Sequence, residues 1–491
     1  MLWSQVQKVA QQSENKLALV GDSRAYTYKQ LIDVVNHVAD ELQSVRHRVV
    51  ALYADNCPEW VIVDLACQLA GITLLPLPSF FSDHQLNHAV AQAGASAVIH
   101  VNDDRMSQLL VQTNTFGVCE RFVLSKTSIK ETRIPDKASK ITFTSGSTGE
   151  PKGVCLSKAQ QFSVADQLNK VLKLASNKHL SLLPFSTLLE NVAGVYLTFL
   201  AGGTVLALPK ETLGFNGSSG FNMNDLLASI SHHQPSSLIL LPELLTALVT
   251  SVENGWKPPK TLEFIAVGGS KVFPELLKQA QQVGLPVYEG YGLSECASVV
   301  SLNVENNTKV GSVGRPLGHL SVVIENNEVM VSGNTFLGYV NEPESWNLST
   351  VTTGDLGHLD DEGYLFINGR KKNLIISSFG RNINPEWVES SVLSNVLIKQ
   401  CVVFGDAKPF CTAVIYLADK TSSDDDIQAW INAVNQTLPD YAQVTRWIRL
   451  EEPLSVKLGL LTANGRPKRE AVLQTFYDAL EALYSDELLA S

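Results

Sequence analysis

The sequence predicts an α/β protein with a large N-terminal domain of layered, mostly parallel sheets with helices, followed by a small C-terminal α+β domain. At 491 residues, the chain is too long for a single hydrophobic core. Short β-branched runs alternate with helical segments through most of the chain, which is typical of parallel sheets covered by helices. After about Gly354 the pattern changes to short hairpin-like strands. We place the boundary in the polar connector Gly369–Asn373, which gives domains 1–369 and 370–491.

The elements of the large domain follow in the order that such a fold requires. The runs VVALYA, ITLLPLP, SAVIHV and RFVLS predict buried strands, and PEWVIVDLACQLA between the first two predicts a helix. The alternation continues through TVLALP, SSLILL and EFIAVGG. LGFNGSSGFNMN predicts an exposed loop, because Gly, Ser and Asn dominate it. GHLDDEGYLFINGR predicts a hairpin, and the run from NPEWVESSVLS through CVVFGD and CTAVIYLA to DDDIQAWINAVNQTL predicts the small domain.

Composition and charge exclude several classes of protein. Hydrophobic residues make up 45% of the chain and charged residues 18%, as in an ordinary globular enzyme. The net charge of −11 disfavours a general nucleic-acid binder, which needs a basic surface. The N-terminus has no signal-peptide core, and no apolar stretch is long enough to span a bilayer. The seven cysteines form no CxxC pair, so no disulfide framework or zinc site is indicated. We therefore expect a cytoplasmic enzyme without an integral membrane segment.

A run of small and hydroxylated residues follows the predicted strand KITF. It comprises Thr144, Ser145, Gly146, Ser147, Thr148 and Gly149, and Lys152 comes three positions later. Phosphate oxygens need close backbone approach, hydrogen-bond donors and a cation, and this run offers all three. The spacing is not that of a Walker loop. A flexible hydroxyl-rich turn is the alternative, which the ending Pro151–Lys152–Gly153 disfavours. The run therefore predicts a phosphate-binding loop.

This run resembles the phosphate loop of the acyl-adenylate-forming (AMP-binding) superfamily, which includes acyl-CoA synthetases, peptide-synthetase adenylation domains and luciferases. Other segments of the family follow in its order: FIAVGGS, YEGYGLSECAS, GSVGRPLG, GNTFLGYVNEP and TTGDLGHLDDEGYLFINGRKKN. The resemblance covers nearly the whole chain. Within the superfamily, the sequence most resembles the long-chain fatty acyl-CoA synthetases. It implies that the small domain acts as a mobile lid.

The resemblance implies roles in nucleotide binding for individual residues. Gly268 and Gly269 of FIAVGGS would allow the adenine to approach closely. Tyr291 would lie against the adenine, Ser294 would hydrogen-bond phosphate, and Glu295 would help to hold Mg²⁺. Serine stands where threonine is usual in this family, but the hydroxyl is retained.

The ribose segment carries two further roles that the resemblance implies. Asp355 would accept hydrogen bonds from the two ribose hydroxyls. Arg370 would reach ribose or phosphate. The family hinge falls near Asn373, where an acidic residue or lysine is more usual.

Near the C-terminus, LTANGRPKREAV stands where the family places a catalytic lysine directly after a glycine. Here Arg466 follows Gly465, and Lys468 comes two residues later. Pro467 is predicted to be the first residue of the helix PKREAVLQTFYDALEALY, which would place Arg466 at the tip of the loop. Both Arg466 and Lys468 are candidates for the catalytic role.

The resemblance implies a reaction in two halves. A carboxylate attacks the α-phosphate of ATP–Mg²⁺ and pyrophosphate leaves; the thiol of coenzyme A then attacks the acyl-adenylate and AMP leaves. LPFSTLLENVAG stands where long-chain synthetases resemble Leu-Pro-x-x-His-x-x-Glu-Arg, with Thr187 for His, Glu190 kept and Asn191 for Arg. VAGVYLTFLAGG and LPELLTALVTSV form either walls for an alkyl chain or core helices. The expected acid is a medium- or long-chain fatty acid.

The sequence leaves two alternatives to this function open. One is an adenylation enzyme that loads an amino, aryl or fatty acid onto a separate acyl carrier protein. The short segment from Gly318 to Gly333 favours coenzyme A over a carrier protein as the acceptor. The other alternative is a non-catalytic ATP-binding protein on the same scaffold.

Three residues have an alternative chemical interpretation. His84 and His88 are spaced as half of a metal site, but no third ligand is in view, so we expect polar positions on an exposed helix. Cys296 adjoins Glu295, but no base stands near it in the sequence. We expect a packing thiol there.

Overall fold

The computed structural model describes residues 2–484 except 45–47, 102–104, 106–109, 120, 145–150, 175–176, 217–219, 270–271, 273, 379–380, 420 and 463–464. The chain divides into two compact units. The first unit comprises Met1–Ser270, Leu277–Val323 and Met330–Val351, and the second comprises Lys271–Leu276, Ile324–Val329 and Thr352–Ser491. The predicted domain boundary between residues 369 and 370 stays a prediction.

The strands in chain order are β1 (Leu17–Val20), β2 (Ala25–Thr27), β3 (Val49–Tyr53), β4 (Thr73–Leu77), β5 (Ala97–His100), β6 (Leu110–Val118), β7 (Phe122–Thr127), β8 (Ala138–Thr144), β9 (Lys152–Ser157), β10 (Lys178–Leu180), β11 (Thr204–Leu206), β12 (Phe215–Asn216), β13 (Gly220–Phe221), β14 (Ser237–Leu240), β15 (Phe264–Val267), β16 (Val287–Leu293), β17 (Ser298–Leu302), β18 (Arg315–Pro316), β19 (Leu320–Glu325), β20 (Glu328–Gly333), β21 (Gly338–Tyr339), β22 (Thr350–Leu359), β23 (Leu365–Arg370), β24 (Ile375–Ile376), β25 (Asn382–Ile383), β26 (Ile398–Phe404), β27 (Cys411–Leu417) and β28 (Val444–Arg449).

The α-helices in chain order are α1 (Leu2–Gln12), α2 (Tyr28–Ser44), α3 (Pro58–Ala70), α4 (Asp83–Ala93), α5 (Lys158–Leu172), α6 (Leu197–Leu200), α7 (Met223–His233), α8 (Pro242–Glu253), α9 (Pro274–Gln282), α10 (Pro385–Val392), α11 (Asp424–Asn435), α12 (Arg469–Thr475) and α13 (Tyr477–Ala482). A π-helix spans Leu189–Tyr196, and 3₁₀ turns span Ser294–Cys296, Pro343–Ser345, Lys371–Asn373 and Asp440–Ala442. Among the described residues, no helix combines the length and the apolar character needed to cross a membrane.

Two large sheets organise the first unit. One has the strand order β18-β17-β16-β15-β14-β10-β11-β1-β2, and the other has the order β21-β9-β8-β4-β3-β5-β7-β6. Their central strands are parallel, as in the pairs β14–β15, β15–β16, β3–β4 and β3–β5, and antiparallel strands lie toward the edges. The predicted α/β class is confirmed, and the predicted helix PEWVIVDLACQLA is α3, capped by Gly71 in a left-handed conformation.

One of the two apolar segments that were open to two interpretations, VAGVYLTFLAGG, packs into the core of the first unit. Val192, Val195, Tyr196 and Phe199 are at most 1% exposed and belong to one hydrophobic cluster that also contains Trp60. These side chains therefore act as core, which removes the sequence argument for an alkyl-chain wall there.

The second unit is built on its own small sheet. β26 and β27 are antiparallel, and β28 joins β27 in parallel. One face of this sheet packs with α10 and α11, and a separate apolar cluster includes residues of α12 and α13. The strand β28 was not among the predicted elements, because VTRWIR alternates only weakly in hydrophobicity.

Candidate active site

The predicted phosphate loop connects two antiparallel strands of the first unit. Thr144 at the end of β8 pairs with Lys152 at the start of β9. A Cβ on Gly153 would lie 2.8 Å from Val340 Cγ2, so only glycine fits at the exit of the loop without a shift of its neighbour. Outside the described residues lie Ser145, Gly146, Ser147, Thr148 and Gly149. The strand KITF that was predicted before the run is confirmed as part of β8, while the ligand contacts of the run stay a prediction.

The side chain of Lys152 is held by an acidic and an aromatic residue. Its Nζ lies 2.8 Å from Glu342 Oε1 and 4.9 Å from the centre of the Tyr339 ring. The Lys152 side chain is 41% exposed and that of Glu342 is 34% exposed. An ion pair with this exposure is weak and can exchange partners.

Glu295 lies in the 3₁₀ turn that follows β16 and is anchored twice to one short segment. Its Oε1 accepts a hydrogen bond of 2.8 Å from the hydroxyl of Tyr339, and its carbonyl oxygen accepts one of 2.7 Å from the backbone N–H of Phe336. Its second carboxylate oxygen accepts no hydrogen bond from the described residues. Carboxylate oxygens are the ligands that Mg²⁺ prefers, so Glu295 fits the predicted metal role. Ser294 opens the same turn and is half-buried.

The backbone around Glu295 is closely constrained. Ala297 and Ser298 have φ angles of 58° and 120°, in the left-handed region that non-glycine residues rarely adopt. A Cβ on Gly292 would lie 1.7 Å from the carbonyl oxygen of Ser298. Cys296 is buried, and burial followed by the nearby Glu295 raises the pKa of its thiol. Cys296 is therefore a packing thiol, as expected from the sequence.

The residues predicted to lie against the adenine are on or beside β15 and β16. A Cβ on Gly268 would lie 2.9 Å from the carbonyl oxygen of Gly290, and Gly269 has a φ of 82°. These two glycines are thus required by the backbone itself. Tyr291 pairs with Ser301 on β17 and is half-buried. Its contact with adenine stays a prediction.

In the second unit, Asp355 and Arg370 face each other across β22 and β23. Asp355 Oδ1 lies 2.7 Å from Arg370 Nε, and the Asp355 side chain is 5% exposed while that of Arg370 is 41% exposed. Arg370 also donates a hydrogen bond of 3.0 Å to the carbonyl oxygen of Thr353. The predicted ribose acceptor is therefore paired with a cation.

The segment around Arg466 is a short hairpin, not a helix start. Leu461 and Pro467 form an isolated antiparallel bridge, and the backbone N–H of Thr462 donates to the carbonyl oxygen of Arg466 over 2.7 Å. The helix α12 begins only at Arg469. The prediction that Pro467 opens the helix is wrong. Proline fits the bridge because its missing N–H is not needed there: the bonds nearby use the N–H groups of Thr462 and Lys468.

Arg466 lies within electrostatic reach of the ribose segment. Loss of hydration and then repulsion by Arg370 lower the pKa of its guanidinium, while Asp355 and Glu386 oppose the shift. Both Arg466 and Lys468 nevertheless keep solvent-accessible surface, so the charged groups near Arg466 reduce its hydration without enclosing it. The structure thus brings Arg466, Arg370 and Asp355 into one charged group.

One histidine has a contact that the sequence did not indicate. Nε2 of His88 lies 3.2 Å from the carbonyl oxygen of Pro151, and its ring packs edge-on against Phe143. The expectation of an exposed position is correct for His84. It is wrong for His88, which is half-buried beside Phe143 of β8 and Pro151. Helical spacing could not reveal this contact, because the partner lies on a distant strand. Among the described residues, no group of three metal-ligating side chains is present.

Glu190 is a core residue. It is fully buried, and its Oε1 lies 2.6 Å from His179 Nε2. Its second oxygen accepts a hydrogen bond from the backbone N–H of Leu183. Glu190 therefore ties the π-helix to β10 rather than facing a ligand.

Comparison with known proteins identifies the class of protein. The AMP-binding enzyme family matches residues 6–338, and the AMP-binding enzyme C-terminal domain matches residues 372–488. The chain belongs to the AMP-binding enzyme family. This confirms the predicted superfamily and the enzyme class, an AMP-forming acid–thiol ligase that uses ATP, Mg²⁺ and coenzyme A with a small-molecule acid.

Two related enzymes and one solved structure show which members of the family the chain resembles. The chain is 27% identical to the 2-succinylbenzoate–CoA ligase of Bacillus subtilis (strain 168), over 81% of this chain and 83% of that protein. It is 32% identical to the long-chain-fatty-acid–CoA ligase FadD15 of Mycobacterium bovis, but over only 45% of this chain and 42% of that protein. The solved structure of O-succinylbenzoate coenzyme A synthetase from Bacillus subtilis with AMP superposes with a TM-score of 0.77 at 24% identity, covering 95% of this chain and 97% of that one. The last similarity shows the fold.

The sequence predicted a resemblance to the long-chain branch of the superfamily, but these comparisons favour the 2-succinylbenzoate–CoA ligases. The similarity to FadD15 spans less than half of the chain, whereas that to the 2-succinylbenzoate ligase spans most of it. The pattern LPFSTLLENVAG misled the sequence argument because its retained glutamate, Glu190, serves the core.

Proposed function

We propose that the protein activates an aromatic carboxylic acid of the 2-succinylbenzoate class as an acyl-adenylate and transfers the acyl group to the thiol of coenzyme A. The observation that carries this proposal is the similarity to the 2-succinylbenzoate–CoA ligase along 81% of the chain. The packing of VAGVYLTFLAGG into the core supports it, because that packing removes one of the two walls expected for an alkyl chain.

In the first unit, we assign the phosphates of ATP to the loop from Thr144 to Gly149 and to Lys152. Ser294 adds a hydroxyl donor. Glu295 holds Mg²⁺, which supplies charge neutralisation between the two anions that must react. Glycines at the end of β15 and Tyr291 on β16 serve the adenine.

In the second unit, we assign the ribose hydroxyls to Asp355. Arg370, which pairs with Asp355, turns to ribose or phosphate when nucleotide is bound. Arg466 stabilises the charge that builds up on the α-phosphate through its planar guanidinium, and Lys468 contributes less. The domain boundary at 369/370 and the cytoplasmic location are parts of the same proposal.

Measuring the two half-reactions separately distinguishes the role of Arg466 from that of Lys468. We expect Arg466→Ala to impair adenylate formation more than Lys468→Ala does. Both variants should still convert supplied acyl-adenylate and coenzyme A to the thioester, because the loop that carries both residues is assigned to the first half-reaction alone. Loss of the first half-reaction in Lys468→Ala alone would reverse the assignment.

The test of the substrate is an ATP–pyrophosphate exchange panel. The acids are 2-succinylbenzoate, benzoate, anthranilate, octanoate, palmitate and a set of amino acids. We expect exchange with the aromatic acids, led by 2-succinylbenzoate, and little with the others. Preference for palmitate or octanoate would overturn the proposed acid and restore the fatty-acid prediction.

The acceptor is tested with the best acid of the panel. We expect thioester formation with coenzyme A and none with a phosphopantetheinylated acyl carrier protein. The reverse result would establish a carrier-loading enzyme. ATP binding without exchange for any acid would instead support a non-catalytic protein.

A further inference from the structure

Tyr339 links the two groups of the first unit that are assigned to the nucleotide and its metal. We propose that Tyr339 is a positioning residue: its hydroxyl orients the Glu295 carboxylate for Mg²⁺, and its ring orients Lys152 for phosphate. This inference rests on the proposed function of the same site and adds a residue to it.

The backbone holds Tyr339 in one orientation. Its strand β21 pairs with β9, with Gly338 opposite Cys155 and Tyr339 opposite Val154. Its N–H donates to Ser345 Oγ over 2.8 Å, and its carbonyl oxygen accepts from Trp346 Nε1 over 2.8 Å. Both backbone groups of Tyr339 are therefore satisfied by the segment that follows it.

Glycine is required immediately before Tyr339. Gly338 has a φ of 131°, and a Cβ there would lie 2.4 Å from Trp346 Cδ1. Because Gly338 has no side chain, the indole of Trp346 can lie close to it and fix the backbone of Tyr339. The ring of Phe336 packs edge-on against the Tyr339 ring, with centres 4.8 Å apart.

The side chain then makes two contacts of different chemistry. The hydroxyl donates to Glu295 Oε1 over 2.8 Å, so one carboxylate oxygen is occupied and the orientation of the other is set. The face of the ring lies 4.9 Å from Lys152 Nζ, a cation–π distance. Because β9 carries Lys152 and β21 carries Tyr339, the pairing of these strands couples the two contacts.

The hydroxyl of Tyr339 is the donor in this contact, because an ionised carboxylate can only accept a hydrogen bond. Within the described residues, Glu295 is the acceptor to which this hydroxyl is bonded.

Packing alone does not require a hydroxyl at this position. A phenylalanine ring would fill the same space beside Phe336 and would still face Lys152. The hydroxyl is therefore the part of the side chain that serves Glu295, and its removal isolates that role.

The experiment measures ATP binding by calorimetry with and without Mg²⁺, in the absence of any acid. In Tyr339→Phe, we expect the half-saturating Mg²⁺ concentration to rise about ten- to a hundredfold, as is typical when a residue that orients a metal ligand is lost. Affinity for ATP without Mg²⁺ should stay at the wild-type value. Tyr477→Phe, at an exposed tyrosine of α13, is the matched control and should change neither quantity.

Tyr339→Leu removes the ring as well, and it should also weaken binding of ATP without Mg²⁺, because Lys152 loses its aromatic support. The double variant Tyr339→Phe with Glu295→Gln should require no more Mg²⁺ than Glu295→Gln alone, since the hydroxyl acts through that carboxylate. Additive effects, or equal loss of ATP affinity with and without Mg²⁺ in Tyr339→Phe, would show a general structural role and overturn the inference.

Failure of this inference is distinguishable from failure of the proposed function. If wild-type protein catalyses exchange but Tyr339→Phe has normal Mg²⁺ dependence, only the role of Tyr339 is wrong. If no acid supports exchange but Tyr339→Phe still loses Mg²⁺-dependent ATP binding, the role of Tyr339 stands and the proposed function fails.

Discussion

Two lysines on the same hairpin have opposite environments. Lys140 on β8 is 1% exposed, whereas the Lys152 side chain on β9 is 41% exposed. Each lysine is paired with a carboxylate, Asp64 and Glu342 respectively, at 2.9 and 2.8 Å. Two ion pairs of nearly the same length therefore have different functions.

Lys140 belongs to a closed network in the core. Its Nζ donates to the hydroxyl of Tyr196 over 3.0 Å and to Asn191 Oδ1, while Asp64 Oδ2 accepts from both Tyr196 and Asn191. Burial lowers the pKa of Lys140, and Asp64 opposes this shift. The ammonium faces three acceptor oxygens, on Asp64, Asn191 and Tyr196, and its burial leaves no solvent through which a ligand could replace them. Its role is to join β8, α3 and the π-helix.

Lys152 has no such enclosure. Water reaches both members of its pair with Glu342, so a phosphate can replace the carboxylate at small cost in free energy. The comparison shows that the exposure of an ion pair, rather than its length, separates a structural lysine from one available to a ligand.

The largest expected effect is on stability at the buried pair. Lys140→Met should lower the free energy of unfolding by about 3–5 kcal/mol, because it leaves the Asp64 carboxylate buried without its cation. Urea denaturation measures this change. Lys140→Met combined with Asp64→Leu should recover much of the loss, since no charge then remains buried. A loss below about 1 kcal/mol in the single variant would contradict the structural role.

The next effect is on activity at the exposed pair. Lys152→Ala should reduce ATP–pyrophosphate exchange by ~10²–10³, as expected for removal of one group that stabilises transition-state charge. Its free energy of unfolding should change by no more than about 0.5 kcal/mol, because its partly exposed ion pair contributes little to stability. Lys130→Ala, at an exposed lysine of the same unit, should leave both quantities unchanged. A large loss of stability in Lys152→Ala would erase the distinction between the two lysines.

The pair of Asp355 and Arg370 is an intermediate case, with a buried carboxylate and a partly exposed cation. Asp355→Ala should raise the KM for ATP, since charged hydrogen bonds are worth about 1.5–3 kcal/mol each. The penalty for replacing ATP by 2′-deoxy-ATP should be smaller in the variant than in the wild type. Equal penalties in both proteins would show that Asp355 does not contact the ribose.

The smallest effect is expected from Glu342→Gln. Stability should change by at most about 1 kcal/mol, because an exposed ion pair contributes little. Binding of ATP should become slightly tighter, since no carboxylate competes for Lys152, and the gain should shrink in high salt. Glu344→Gln, at the neighbouring exposed acid, is the matched control for calorimetry. Weaker ATP binding in Glu342→Gln would indicate that Glu342 supports the lysine rather than competing for it.

Local patterns were the reliable part of the sequence argument. The helix PEWVIVDLACQLA, the strands of the parallel sheets and the hairpin around DDEG are confirmed, because each follows from periodicity or turn residues within one segment. The helix predicted from Pro467 was wrong because a bridge to Leu461, outside the helical window, determines the backbone there. The assignments of individual nucleotide contacts stay predictions.

The sequence by itself determined the α/β class, the order of the family segments and the superfamily, because these depend on residues that are close together along the chain. Tertiary structure decided which polar and charged residues are buried and which face solvent. Lys140, Glu190 and His88 acquired their partners from segments 76, 11 and 63 residues away. Burial raises the free-energy cost of a charge by displacing water, and burial is a property of the packed chain that no single segment contains.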